Sequence, residues 1–379
     1  MLHTGSQRYG DVSWNDIAPS PCLSRKLTFS SNSIAIVLAW SLFKGTFMSS
    51  TTKRKSWRRI LGDSSFRFIA GWLNMRQLQY CFGTSLHVYE TWARKNRLPI
   101  LVEEIGTENV RLLWVGPRRT DRVVIFFHGG GYVVPLQDFS VSFWNYVRLE
   151  LGRRHLDVGF AILNYSLVPT ATFPTQLIQA VTAVKYIIDS GVEPRNIQIV
   201  GDSAGGNLAL AFLAHMLHPL DSVPRISLTS RISGVYLMSP WVSFTGDTGS
   251  HMINDNTDVV GAKTFAYCGR KVMTGVPESL RVYLEASKSP GSWFKGIDEL
   301  VKRILVSAGG AECLRDDIIE VAKQLSRNHQ HVELDIQEGS VHNDPYYDFF
   351  VGEKKMGDLT PRIVDWLEKG FKEEDQSSR

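Results

Sequence analysis

The stretch Gly201-Asp202-Ser203-Ala204-Gly205-Gly206 lies between the apolar run Ile197-Gln198-Ile199-Val200 and the helix-forming segment Asn207-Leu208-Ala209-Leu210-Ala211-Phe212. A short β-prone run, a glycine-bracketed serine and a helix former predict a strand, a sharp turn and a helix, with Ser203 at the tip of the turn. The glycines answer a steric need. A turn this tight strains its central residue and leaves no room for side chains beside it, and Gly201 and Gly205 stand at those places. The helix beginning near Ala204 points its free N–H groups and positive dipole end at the serine. G-x-S-x-G alone is a weak signal that occurs by chance in many chains; its strand-and-helix context is what raises it.

Around this turn, strand-like and helix-like segments alternate. Val110–Val115, Arg122–Phe127, Gly159–Leu163, Ile197–Val200, Gly234–Met238, Arg303–Val306 and Val332–Ile336 read as strands, whereas Phe143–Leu151, Ala180–Ile188 and Leu359–Lys369 read as helices. Such alternation predicts the α/β class: a mostly parallel central sheet with helices on both faces. It breaks between about 240 and 300, where aromatic residues occur without a strong strand, as in an insertion above the sheet. From Ser56 to Arg97, Trp57, Ile60, Leu61, Phe68, Ile69, Trp72 and Leu73 recur at spacings of three and four, which predicts amphipathic helices ahead of the first strand.

Composition sets limits. The chain has 379 residues, 43% of them hydrophobic, and a net charge of +4, too small a bias for a nucleic-acid partner. A basic cluster, Lys53-Arg54-Lys55 with Arg58-Arg59, reads as a solvated helix face, with contact to an anionic membrane surface as its alternative. Cys22, Cys81, Cys268 and Cys313 form neither a disulfide framework nor a metal pattern. No signal peptide stands at Met1, and Ile34–Phe43 is apolar but too short for a membrane span, so an interfacial anchor or lid helix is expected there. Compartment stays open between a membrane-associated site such as the endoplasmic reticulum and the cytoplasm. Oligomeric state is not legible.

A serine hydroxyl becomes a nucleophile when an imidazole takes its proton and a carboxylate fixes that imidazole. His342 stands on a loop after the last strand, in Glu338-Gly339-Ser340-Val341-His342-Asn343-Asp344. By contrast, His329 and His331 precede that strand, and His215 and His218 belong to the helix after Ser203. For the carboxylate, Glu312 comes first past the strand at 303–306, and Asp316 and Asp317 remain alternatives, as first-turn helix residues. His128-Gly129-Gly130-Gly131 follows another strand, so Gly130 and Gly131, with Ala204, are the candidate backbone donors of an oxyanion hole. His128, Gly129 and Asp202 are read as supporting residues.

Together His128-Gly-Gly-Gly-Tyr132, Asn164–Pro169 with Phe173-Pro174, the 201–206 turn, Ser239-Pro240-Trp241 and the segments bearing Glu312 and His342 resemble the hormone-sensitive-lipase-type α/β-hydrolases. Ser56-Trp57-Arg58 and Glu312-Cys-Leu-Arg-Asp-Asp317 are similar to the steryl acetyl hydrolase branch. The resemblance covers roughly residues 52 to 370. It implies the α/β-hydrolase fold, a helical lid, no metal or cofactor, and short-acyl ester substrates, with a bulky apolar alcohol such as a sterol suggested by the aromatic lid. Most of that family carries an aspartate where this chain has Glu312. The expected organisation is a leader at 1–50, lid helices at 51–105, a hydrolase domain at 106–370 and a loose tail at 371–379. The expected activity is serine ester hydrolysis through an acyl-enzyme. Its rivals are acyl transfer, lactone opening or cyclisation, and a non-catalytic receptor on the same fold.

Overall fold

The computed structural model describes residues 55–106, 109–246 and 248–377. The expected leader, its apolar run, Lys53 and Arg54 lie outside them. Eight strands form one sheet: β1 (Leu101–Ile105), β2 (Val110–Trp114), β3 (Val123–Phe127), β4 (Gly159–Asn164), β5 (Ile197–Asp202), β6 (Gly234–Met238), β7 (Ile304–Gly309) and β8 (Val332–Gln337). Their order is β1-β2-β4-β3-β5-β6-β7-β8. β1 and β2 run antiparallel to their neighbours and the remaining strands are mutually parallel.

The helices are α1 (Trp57–Trp72), α2 (Met75–Phe82), α3 (Ser85–Lys95), α4 (Asp138–Arg153), α5 (Thr175–Asp189), α6 (Ala204–Leu217), α7 (Gly249–Ile253), α8 (Ala262–Met273), α9 (Arg281–Leu284), α10 (Ile297–Leu300), α11 (Arg315–Asn328), α12 (Asp344–Val351) and α13 (Leu359–Ser377). The starts of the first three follow from sequence. Side-chain oxygens of Ser56, Asn74 and Thr84 accept from backbone N–H groups three residues on, and Asn74 with Gln77 completes a capping box.

Side-chain alternation along the strands divides the core in two. Val123, Ile125 and Phe127 of β3 pack in one layer with residues of α5, α6 and α11, while Val124 and Phe126 pack in the other with α3, α4 and α13. A central strand covered on both faces is apolar throughout, which is why β3 and β4 were legible as unbroken runs. The chain crosses from β3 to β4 on one side and returns to β5 on the other. Loops leaving the carboxyl ends of β3 and β5 therefore diverge and open a crevice at the top of the sheet.

The structure corrects three expectations. Leu101–Ile105 belongs to the sheet, so the main domain begins there rather than at 106. Its Val102-Glu103-Glu104 centre is partly exposed because β1 is an edge strand, where charged residues are tolerated. The tail expected to be loose from 371 is helical through Ser377, where buried Phe371 and a Lys372–Glu368 pair at 2.5 Å continue α13. Nor are Lys55 and Arg59, the described members of the basic cluster besides Arg58, a solvated face. Arg58 is exposed, but Arg59 is buried against Asp344 (2.8 Å), Asp63 (3.3 Å) and Asp348, and Lys55 meets Asp63 at 2.8 Å. Among the described residues no helix is long and apolar enough to cross a membrane.

The turn after β5 is the tightest packing in the sheet. A Cβ on Gly205 would sit 1.8 Å from the carbonyl oxygen of Phe127 and 2.7 Å from that of His128. Neither atom can move without breaking the sheet. Gly205→Ala is therefore expected to lower stability beyond the ~1–3 kcal/mol of ordinary core overpacking, read as a depressed Tm and loss of soluble protein; a wild-type Tm would refute this packing account.

Candidate active site

Ser203 lies between β5 and α6 with φ 51° and ψ −116°, a strained conformation for a residue with a side chain. Its neighbours hold it there. The Ser203 N–H donates to the Met238 carbonyl and its own carbonyl accepts from Trp241 N–H, both at 2.9 Å. A Cβ on Gly201 would meet the Gly205 carbonyl oxygen at 2.4 Å, so both bracketing glycines are required by close approach.

Beyond β7, Glu312 is fully buried. Its Oε2 accepts from Ser239 Oγ at 2.6 Å and from Gly309 N–H at 2.7 Å, which leaves Oε1 facing His342 Nδ1 at 3.7 Å. Neither of those two atoms has a hydrogen-bond partner among the described residues. At 3.7 Å the pair is longer than a hydrogen bond, and contacts of this kind are commonly long in the absence of substrate. Asp316 and Asp317, the alternatives to Glu312, are engaged elsewhere: Asp316 accepts from Ser250 N–H at 2.9 Å, and Asp317 meets His251 Nε2 at 3.2 Å.

Three successive N–H groups hold the histidine loop. Val341 donates to Asp344 at 3.2 Å, His342 to Asp258 at 2.9 Å, and Asn343 to Ser239 Oγ at 3.2 Å. Burial alone pushes the His342 imidazole down, but Glu312, Asp258 and Asp202 more than offset it, and its pKa ends above the ordinary value. Of the other candidate histidines, His215 contacts the Pro224 carbonyl and His329 that of Val301, both at 2.9 Å, His218 stacks on Trp293, and His331 is exposed.

Gly130 and Gly131 have φ of 103° and 61°, open to glycine at little cost. Their N–H groups have no partner among the described residues, whereas the Gly129 N–H donates to Asp202 Oδ1 at 2.9 Å. Gly129 thus braces the loop and the next two residues present it. Ala204 N–H opens α6. His128 is buried, 2.8 Å from the Gly129 carbonyl and stacked on Tyr165; burial pushes its pKa down to about 4, so it stays neutral. Asp202 also accepts from Asn343 Nδ2 at 3.0 Å and Tyr346 Oη at 3.1 Å, and burial raises its carboxyl to about 7 despite these donors.

Ser203, His342, Gly130 and Gly131 line one cavity of about 120 Å³. Its other walls are mainly apolar: Phe66 and Ile69 of α1, Leu78 and Phe82 of α2, and Phe265 and Cys268 of α8. The early helices and the insertion both reach it. Among the described residues no group of three or more His, Cys, Asp or Glu is placed to hold a metal ion.

A family model described as alpha/beta hydrolase fold matches residues 124–344, more than half of the chain, and the chain belongs to that family. Within it, the chain is 35% identical over 103 residues to steryl acetyl hydrolase 1 of Saccharomyces cerevisiae, covering 26% of this chain and 23% of that protein. It is 25% identical over 257 residues to 3-O-acetylpapaveroxine carboxylesterase CXE2 of Papaver somniferum, covering 62% and 78%. The chain spans about half or less of the length of the steryl acetyl and cholesterol ester hydrolases it matches. An esterase of the bacterial hormone-sensitive lipase family superposes with a TM-score of 0.64 at 21% identity, covering 84% of this chain and 99% of that one, which supports the fold.

Sequence reasoning missed Asp258 and gave no role to Ser239, Asn343 or Tyr346. Ser239 had a visible signal, Ser239-Pro240-Trp241 directly after a strand; Asp258 lies inside an insertion without periodicity. The raised carboxyl of Asp202 has a stability consequence. A folded-state pKa lifted from 3.8 to about 7 favours the protonated form on folding, so stability is highest below 3.8 and falls as pH rises toward 7. Asp202→Asn removes that loss, and Asn343 Oδ1, now without a partner, can turn to accept the new amide. Thermal melts at pH 5 and pH 8 should show the variant gaining on wild type at the higher pH; an equal difference at both would refute the raised carboxyl.

Proposed function

We propose that the protein is a serine carboxylester hydrolase acting through an acyl-enzyme. Its single carrying observation is the convergence, in one apolar cavity, of a strained Ser203, a His342 whose pKa is raised by buried carboxylates, and an unpartnered pair of glycine N–H groups. Ser203 Oγ attacks the ester carbonyl carbon while His342 takes its proton; the N–H groups of Gly130, Gly131 and Ala204 receive the negative oxygen. Glu312 orients the imidazole through Nδ1 and favours its charged form. As the carbonyl re-forms, His342 returns the proton to the departing alkoxide. Water then repeats the sequence and frees the acid.

Size and polarity of the cavity support a short, uncharged acyl group. An apolar cavity of ~150 Å³ takes up benzene, so about 120 Å³ suits an acetyl to butyryl chain and not a sterol nucleus. A bulky alcohol has to extend beyond it. The relatives named for steryl acetyl and 3-O-acetylpapaveroxine esters support an acetyl ester of such an alcohol as substrate. Membrane contact through the N-terminal segment remains a proposal of the same kind.

Two measurements test this reading. p-Nitrophenyl acetate and butyrate should be hydrolysed with kcat/KM at least roughly 10-fold above the dodecanoate, and Ser203→Ala should lower turnover by roughly 10³-fold or more and abolish fluorophosphonate labelling. A wild-type protein that neither turns over nor labels overturns the hydrolase reading. Activity should also fall on acidification, because a protonated His342 cannot accept the Ser203 proton. The acid limb of kcat/KM is expected above the ordinary histidine value of 6.5; a limb well below it would remove the carboxylates from the account.

A further inference from the structure

Asp258 is 1% exposed and stands between α7 and α8, in the insertion. Its Oδ1 accepts from the N–H of His342 at 2.9 Å and of Val259 at 2.8 Å, and its Oδ2 from the N–H of Cys313 at 2.8 Å. One carboxylate therefore spans two loops distant in sequence: the one that carries His342 and the turn that carries Glu312. The same segment grips that turn again, since Asn254 Nδ2 donates to the Glu312 carbonyl at 2.8 Å.

Its charge is placed as purposefully as its oxygens. Asp344, on the other side of the histidine loop, is neutralised by Arg59 and Lys55, which hold its carboxyl low. Asp258 has a different electrostatic setting: burial pushes its carboxyl up to about 6, and of the charges acting on it that of His342, which lowers it, is the largest, followed by the repulsion of Glu312. The other groups facing it are the Cys313 thiol, Asp255 on its own loop and Arg67 of α1, whose guanidinium reaches the Asp258 carbonyl at 2.5 Å and Asp255 at 3.8 Å. A buried carboxylate in this setting has most to gain when the imidazole becomes positive.

We infer that Asp258 is a positioning residue for the hydrolysis proposed above: it fixes the histidine loop and the Glu312 turn against each other, and its negative charge favours the imidazolium that forms when Ser203 is deprotonated. The inference rests on that reading of Ser203 and His342. Glu312 then shares its task with a second carboxylate that never touches the ring, and the insertion contributes to the chemistry as well as to the cavity wall.

Asp258→Asn removes the charge at nearly constant volume. Because both carboxylate oxygens accept from backbone N–H groups, its Nδ2 must face one of those donors, so one tie is lost with the charge and the pH limb, not the fall in kcat, reads the charge. With p-nitrophenyl acetate, kcat is expected to fall roughly 10- to 100-fold with KM within about 3-fold, and the acid limb of kcat/KM to move to lower pH, because a lost negative charge makes His342 easier to deprotonate. Asp258→Glu, which retains the charge, should return the limb to the wild-type position. Asn254→Ala loosens the Glu312 turn without changing charge and should leave the limb in place. An acid limb in Asp258→Asn that coincides with wild type, or moves up, overturns the proposal; so does failure of both Asp258 variants to fold, since the carboxylate is then a tie of the fold alone. If instead the wild-type protein shows no turnover and no Ser203-dependent labelling, the underlying hydrolase reading has failed, which is a separate result.

Discussion

The site depends on keeping a buried imidazole able to carry a positive charge. His128 and His342 show what is at stake, because both are buried beside the same cavity and end on opposite sides of the ordinary histidine value. Desolvation drives His128 down to about 4, and a backbone carbonyl is too weak to reverse it. His342 feels the same penalty but is surrounded by Glu312, Asp258 and Asp202. A charge at about 4 Å is worth ~4 kcal/mol at an effective dielectric of 20, enough for nearby carboxylates to outweigh burial.

Those carboxylates are themselves expensive to bury, and backbone N–H groups offset only part of the cost, since burial still leaves Asp202 and Asp258 raised to about 7 and about 6. Gly309 serves Glu312, Cys313 and His342 serve Asp258, and Gly129 serves Asp202. Each donor lies at the carboxyl end of a strand or in the loop beyond one. Satisfying the charges and positioning the loops are thus one arrangement: the same hydrogen bonds that keep the carboxylates ionisable fix the oxyanion loop, the Glu312 turn and the histidine loop relative to one another. Arg59 extends the arrangement outward, joining α1 to Asp344 and Asp348 on the helix that begins two residues after His342.

The parts of the fold that were legible in the sequence are those where one local rule decides the conformation. Strands covered on both faces read as apolar runs, and Gly201 and Gly205 announced the turn at Ser203 because only glycine fits against the backbone there. Glu312 and His342 were singled out from their places after strands, and the fold brings Oε1 and Nδ1 to 3.7 Å. What escaped had no local signature. The edge strand Leu101–Ile105 carries Glu103 and Glu104 on opposite faces and so lacks a continuous apolar pattern, and Lys372 looked like part of a charged tail because its pairing with Glu368 needs a helix already formed. Asp258 was invisible for a deeper reason: its importance comes from two backbone groups 55 and 84 residues away, and nothing in the residues around it records that meeting.

The chemistry and the enclosure come from different parts of the chain. Ser203, Glu312, His342 and the glycine loop are fixed by the sheet, while Phe66, Ile69, Leu78, Phe82 and Phe265 reach the cavity from helices outside it. Residues that shape the chamber can therefore be exchanged without disturbing strand register or the carboxylate network. An exchange at one of these positions in α1, α2 or α8 would remodel the chamber and leave the loops above the strands where they are.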